Sequence, residues 1–170
     1  MQNSRMAPPS VRIQSFDFDP SAELAALRHR DRRVGAVVSF LGTVRDWHPD
    51  ATGEVLSLEL EHYPGMTERA IEAMVDQALG RFDIYAAQVI HRVGLLEPLD
   101  QIVWVAVSAA HRGQAFLACE FLMDYLKTQA PFWKKEQTPQ GARWVDARVQ
   151  DDAALQRWGI AARNAEVGAG

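Results

Sequence analysis

The chain reads as an α+β domain, and three observations predict that class. Short β-branched runs such as VGAVVSFL (Val34–Leu41) and IVWVAVSAA (Ile102–Ala110) suit buried strands rather than helices. Between such runs lie stretches with apolar residues at helical spacing, above all Ala70, Ile71, Met74, Val75, Ala78, Leu79 and Phe82. The resulting order is βαββαββαββ, with strands in adjacent pairs, which argues against a doubly wound parallel sheet.

Residues 1–10, MQNSRMAPPS, are polar and proline-containing and read as a disordered tail. Val11 to Phe18 alternates and suits a short edge strand. Asp19-Pro20 then signals a helix start, with Asp19 capping free N–H groups and Pro20 at the first helical position. That helix is expected to run to about Arg32, with Arg28, Arg30, Arg32 and Arg33 meeting its C-terminal dipole. Val34–Leu41 is expected as a central strand, followed by the polar loop DWHPDATG (residues 46–53). Val55–Tyr63 alternates cleanly, and Thr67 is a plausible cap for a helix from Glu68 to Phe82. Ala86–Val93 and Gln101–Ala109 are two further strands, joined through Gly94–Asp100. A nearly all-apolar helix from Ala115 to Leu126 is of the kind found inside a core, and Pro131 stops it. Phe132–Thr138 and Ala142–Val149 follow as strands around Thr138-Pro139-Gln140-Gly141, a type I turn pattern. A short helix from Asp151 to Trp158 ends the ordered part, which is expected as one domain over residues 11–158. Residues 159–170 form a flexible tail.

Composition narrows the function classes. Of the 170 residues, 48% are hydrophobic and 24% charged, enough to build a real core. A net charge of -4 speaks against a general nucleic-acid binder, so any cationic site must be local. One cysteine, Cys119, leaves no internal disulfide and fits a reducing compartment. No long apolar run or secretory h-region is present, which points to a cytoplasmic protein. Nucleotide-binding glycine motifs, a nucleophile elbow and metal-spaced Cys/His clusters are absent from the sequence. His29, His48, His62, His91 and His111 are scattered, and Cys119 sits among apolar neighbours, so any sulfur handled here must arrive from outside.

The remaining chemistry is cationic: Arg45, His111, Arg112, Lys127, Lys134 and Lys135. Each has an ordinary explanation. Arg45 suits a solvated loop, Arg112 a strand-to-helix junction in water, and Lys127 a helix C-terminus. An anion at the His111-Arg112 junction would also gain helix N-terminal N–H groups. Lys134 and Lys135 alternate on a strand, so only one of them faces the side of Lys127. Taken as physics, the set describes an anion pocket.

Taken together, FLGTVRD, LELEHYPGMTE, VIHRVG, AAHRGQAF, MDYLKTQAPFWKKE and ARWVDAR resemble the catalytic large subunits of molybdopterin synthase. The similarity spans about Val34 to Trp158, and the run YLKTQAPFWKKE is its most specific part. The resemblance implies an α/β hammerhead with an additional antiparallel β-sheet subdomain. It implies a homodimer with a small ubiquitin-like subunit at each end, forming a heterotetramer. The small subunit's C-terminal Gly-Gly thiocarboxylate would supply two sulfurs to cyclic pyranopterin monophosphate (precursor Z), forming the dithiolene of molybdopterin. It further implies Lys127 and Lys134 as catalytic residues. Thr43, Val44, Arg45, His111, Arg112, Lys135 and Glu136 would bind substrate, with His111 and Arg112 supplied across the dimer. Many relatives carry a basic residue where this chain has Thr43. No metal or organic cofactor is implied, and neither nucleic acid nor membrane is an expected partner.

Two other classes fit the same cations. One is a non-catalytic dimer that binds an anionic ligand or regulatory partner through the same pocket. The other is a nucleotide- or RNA-binding module with Trp133 as a stacking platform, against which the acidic balance weighs.

Overall fold

The computed structural model describes residues 9–48, 53–145 and 149–160. The strands are β1 (Val11–Gln14), β2 (Ala36–Thr43), β3 (Trp47–His48), β4 (Gly53–Glu54), β5 (Ser57–His62), β6 (Ala86–Arg92), β7 (Gly94–Leu96), β8 (Gln101–Ala109), β9 (Phe132–Thr138) and β10 (Gly141–Trp144). The helices are α1 (Pro20–Arg28), α2 (Met66–Arg81), α3 (Arg112–Gln129) and α4 (Val149–Gln156). Two four-stranded sheets result: a mixed one ordered β1-β6-β8-β2 and an antiparallel one ordered β10-β9-β5-β7. The expected α+β class holds. The polar 46–53 loop contains the β3–β4 ribbon, and its tip lies outside the described residues. So do residues 1–8 and 161–170 of the expected tails, and residues 146–148 of the expected last strand.

β8 explains why its sequence is continuously apolar: both of its faces are covered. Val103, Val105 and Val107 meet α2 and α3 through Ile71, Met74, Val75, Ala118, Phe121 and Leu122. Trp104 and Ala106 point the opposite way, onto Leu27 of α1 and Ile90 of β6. Val34–Leu41, expected as a central strand, is instead the edge strand β2, paired only with β8 and exposing Phe40 and Leu41. Apolar content reports burial propensity and says nothing about how many neighbours a strand finds.

Helix boundaries show similar corrections. Asp19 caps α1 as expected, its carboxylate accepting from the Ser21 and Ala22 N–H groups, but the helix stops at Arg28 rather than Arg32. Thr67 is not the cap of α2. It is buried in the first turn after Gly65, which has φ +83 and donates its N–H to Glu68 Oε2 at 2.6 Å. The Thr67 hydroxyl accepts from the Tyr63 N–H (3.0 Å) and donates to the Pro131 carbonyl (3.1 Å), tying α2 to the end of α3. α3 is also less buried than its composition suggests. One face packs on the mixed sheet, while Phe116 and Leu117 are exposed.

The connection after β6 hides an element the sequence reading missed. Gly94, at φ +90, turns the chain out of the mixed sheet, and β7 then pairs with β5 in the antiparallel sheet. Leu96 closes a small core with Val44, Leu58 and Leu60. Shortly after, Leu99 holds φ +74 while 84% exposed, a conformation that strains a residue with a Cβ. Leu99→Asn should therefore raise stability by about 0.5–1 kcal/mol in urea denaturation, because asparagine tolerates this backbone and no buried surface is lost. An unchanged or lower midpoint would refute that.

Candidate functional site

The C-terminus of α3 and the start of β9 form a corner, and the site is built on its two arms. Lys127 occupies the last turn of α3, exposed, and Lys134 lies in the middle of β9. Pro131 makes the corner by ending the helix, and the bond from Thr67 to its carbonyl holds it in place. Strand alternation places Phe132, Lys134 and Glu136 on one face of β9 and Trp133 and Lys135 on the other.

The face carrying Lys134 also holds a buried carboxylate. Glu136 is 2% exposed and accepts from Arg143 of β10 through both Nε (3.1 Å) and Nη2 (2.8 Å). Its other oxygen lies 3.9 Å from Lys134 Nζ. One buried carboxylate thus orients two cations, leaving that trio with a net positive charge. Lys127 adds a further positive charge from the helix arm. This is a cationic corner suited to an anion.

Behind the corner lies His91 of β6. Its ring stacks on Phe132 with centroids 3.9 Å apart and planes at 19°. Nδ1 sits 2.8 Å from the Arg92 carbonyl oxygen, which can only accept, so Nδ1 carries the proton and Nε2 a lone pair. Burial first, then the nearby His62 and Lys127 charges, lowers its pKa to about 4, so the ring is neutral at pH 7. His62 in turn approaches Glu68 of α2, Nε2 to Oε1 3.5 Å.

The other expected residues divide by location. Lys135 faces away from Lys134, its ammonium 5.6 Å from the Trp144 ring centroid, beside the Tyr63–Trp133 aromatic pair. Val44 lies in the small core, with its N–H bonded to the Asp100 carbonyl and its own carbonyl to the Leu99 N–H. Thr43 and Arg45 are exposed on either side of it, at the Gln101 end of β8. His111 and Arg112 are exposed at the opposite end of that strand, where α3 begins. The helix between Arg112 and Lys127 separates them by about 22 Å at 1.5 Å per residue. One chain therefore gathers Arg45, Lys127, Lys134 and Glu136 at one end and leaves His111-Arg112 at the other.

The sequence reading passed over His91, His62 and Thr67 as site supports. Only VIHRVG and LELEHYPGMTE hinted at them, because burial beside a corner cannot be seen in spacing. Cys119 is buried against the Val105 carbonyl (Sγ to O 4.0 Å), and burial pushes its thiol up to about 11. It is a protonated, inert thiol. Cys119→Ala should keep any activity within about twofold of wild type while lowering stability, since it removes packing and no reactive group. A large loss of turnover in a folded variant would contradict that. Among the described residues, no three His, Cys, Asp or Glu side chains are grouped to hold a metal ion.

The chain as a whole is similar to known proteins. The family model described as "MoaE protein" matches residues 13–129. A Ralstonia nicotianae protein named molybdopterin synthase catalytic subunit is 63% identical over 157 residues, covering 92% of this chain and 88% of that protein. The Escherichia coli K12 protein of the same name is 48% identical over 153 residues, covering 90% and 100%. Among solved structures, a molybdopterin biosynthesis MoaE protein from Burkholderia ambifaria superposes with TM-score 0.77 at 58% identity, covering 89% of this chain and 98% of that one. A Staphylococcus aureus molybdopterin synthase chain gives TM-score 0.72 at 29% identity, covering 79% and 95%.

Proposed function

This chain belongs to the MoaE protein family, and from that membership we propose how its cationic corner carries the family's reaction. The protein is the catalytic subunit of molybdopterin synthase, a sulfurtransferase of molybdenum cofactor biosynthesis. Its partner is a small sulfur-carrier subunit whose C-terminal thiocarboxylate donates two sulfurs, in successive transfers, to cyclic pyranopterin monophosphate. Two copies pair and each takes one small subunit, giving a heterotetramer. Residues 11–158 act as one domain between two tails. No described helix is long and apolar enough to cross a membrane, and the cytoplasm is the compartment we assign.

The observation that carries the reading is the corner that sets Lys127 and Lys134 on adjacent arms, with Glu136 and Arg143 orienting the second. Sulfur transfer brings an anionic thiocarboxylate beside an anionic phosphate, and preorganised cations offset the repulsion between them. Lys127 meets the tail's terminal glycine. Lys134 meets the reacting end of the pterin, where the lysines also move protons as the ring opens and water leaves. Thr43, Val44, Arg45, Lys135 and Glu136 belong to the substrate-binding surface, Val44 through packing and Glu136 through its hold on Lys134. The separation of about 22 Å between Arg112 and Lys127 along α3 supports taking His111 and Arg112 from the second copy, where they hold the phosphate. The buried, protonated Cys119 fits a chain that receives its sulfur rather than carrying it.

The test is reconstitution followed by mass spectrometry of the pterin. The purified chain is mixed with thiocarboxylated small subunit and cyclic pyranopterin monophosphate. A product with two added sulfurs is expected. Binding of both partners without sulfur transfer would favour a non-catalytic anion-binding protein, and no binding would overturn the reading.

A further inference from the structure

Arg143 lies on β10 directly opposite Glu136 of β9, and Lys134 stands two residues before Glu136 on the same face of that strand. Glu136 thus sits between two cations, one along its own strand and one across from it. The two contacts are unequal. Arg143 gives Nε and Nη2 to one carboxylate oxygen, at 3.1 and 2.8 Å, whereas Lys134 Nζ lies 3.9 Å from the other. The former are hydrogen bonds, and the latter is an ion pair at longer range. Because Glu136 is 2% exposed, its charge is balanced by the groups around it rather than by water.

We propose that Arg143 is a positioning residue for sulfur transfer: by engaging Glu136 with two donors, it keeps the carboxylate from closing on Lys134 and leaves the ammonium charge to the anionic reactants. The inference rests on the reading of Lys134 as a catalytic residue. A lysine in full contact with a buried carboxylate is neutralised where it stands. An incoming thiocarboxylate or phosphate would then have to compete with that carboxylate for it. A guanidinium suits the restraining position, because its planar fork presents two donors on one side and fixes the carboxylate's direction, which a single ammonium cannot do. Glu136 then aims Lys134 from a distance. The cross-strand neighbour of Lys134 on β5 is the apolar Leu60, and Glu59 and Glu61 alternate onto the other face of that strand. The further charged groups on the Lys134 side are His62 of β5, Arg45 after β2 and Lys127 on the helix arm.

The experiment uses the complete complex with thiocarboxylated small subunit. Single-turnover sulfur transfer is measured for wild type, Lys134→Ala, Arg143→Met and the double variant Arg143→Met/Glu136→Gln. Arg143→Met keeps the packing of the aliphatic stem and lacks the two donors, so Glu136 closes on Lys134. The rate should fall about tenfold, the worth of one hydrogen bond to a charged group. The double variant removes the carboxylate's charge and leaves an amide oxygen beside Lys134, so it should recover most of the rate. An ion pair that only braces the sheet, or an arginine that binds substrate directly, would show no such recovery. Carbon-13 spectra of the Lys134 Cε give a second reading on the large subunit alone. The ammonium should titrate at higher pH in Arg143→Met than in wild type, because a closer carboxylate favours the charged form. Arg143→Lys keeps a cation and lacks the fork, so it should show the same changes in lesser degree, and it serves where Arg143→Met does not fold.

The failures are distinguishable. An active Lys134→Ala overturns the assignment of Lys134 and this inference with it. An inactive Lys134→Ala beside an Arg143→Met variant with the wild-type rate overturns the inference alone, as does a double variant that stays as slow as Arg143→Met. A Lys134 titration unmoved by loss of the fork does the same.

Discussion

Lys127→Ala should slow sulfur transfer by about 10²- to 10³-fold, the usual cost of removing one preorganised charge-stabilising group. The fold should be unaffected, because the Lys127 side chain is exposed and contributes nothing to the core between α3 and the mixed sheet. The loss should appear in kcat more than in the affinity for the small subunit, since removing a group that stabilises charge in the transition state lowers kcat. Lys127→Arg should not rescue fully. A planar guanidinium cannot reproduce the compact ammonium at the end of a helix arm. Pterin product measured by mass spectrometry, alongside circular dichroism of the variant, decides the matter. A folded Lys127→Ala enzyme with normal turnover would remove Lys127 from the mechanism.

The second large effect concerns pH and stability, and it originates at His91. The ordinary histidine pKa is 6.5, whereas the folded protein holds His91 at about 4. The unfolded chain therefore binds a proton that the folded chain refuses between those values. His91's contribution is fully present above pH 6.5, declines as pH falls, and is exhausted near pH 4. The gap corresponds to about 3 kcal/mol. Burial supplies most of it, with the His62 and Lys127 charges adding to it and the Arg92 carbonyl bond opposing. Urea denaturation at several pH values between 7 and 4 should show wild type losing more stability than His91→Phe, because phenylalanine has no proton to gain. Carboxylates such as Asp17 and Asp31, whose pKa values are lowered in the fold, act on both proteins alike and mainly at lower pH. Parallel stability curves for the two proteins would show that His91 is not held neutral by the fold.

Much of the architecture was legible in the residues. Period-two alternation and β-branched runs located β5, β8 and β9, and helical spacing located α2. Asp19-Pro20, Pro131 and the Thr138–Gly141 turn marked boundaries through steric and hydrogen-bonding rules that act within a few residues. Lys127, Lys134 and Glu136 stood out through resemblance, and strand alternation correctly separated Lys134 from Lys135.

Tertiary structure alone decided what depends on distant neighbours. It made Val34–Leu41 an edge rather than a centre, and recruited Gly94–Leu96 into a second sheet. It turned Thr67 from a cap into the tie that holds Pro131, because the hydroxyl found a carbonyl 64 residues away. It also set His111-Arg112 and Lys127 at opposite ends of one 18-residue helix, so cations close in one list of candidates cannot share a pocket within a chain. Local rules fix dihedrals and faces. Which faces meet is a property of the whole packed core, and that is why His91, one scattered histidine in the sequence, stacks on Phe132 directly behind the corner.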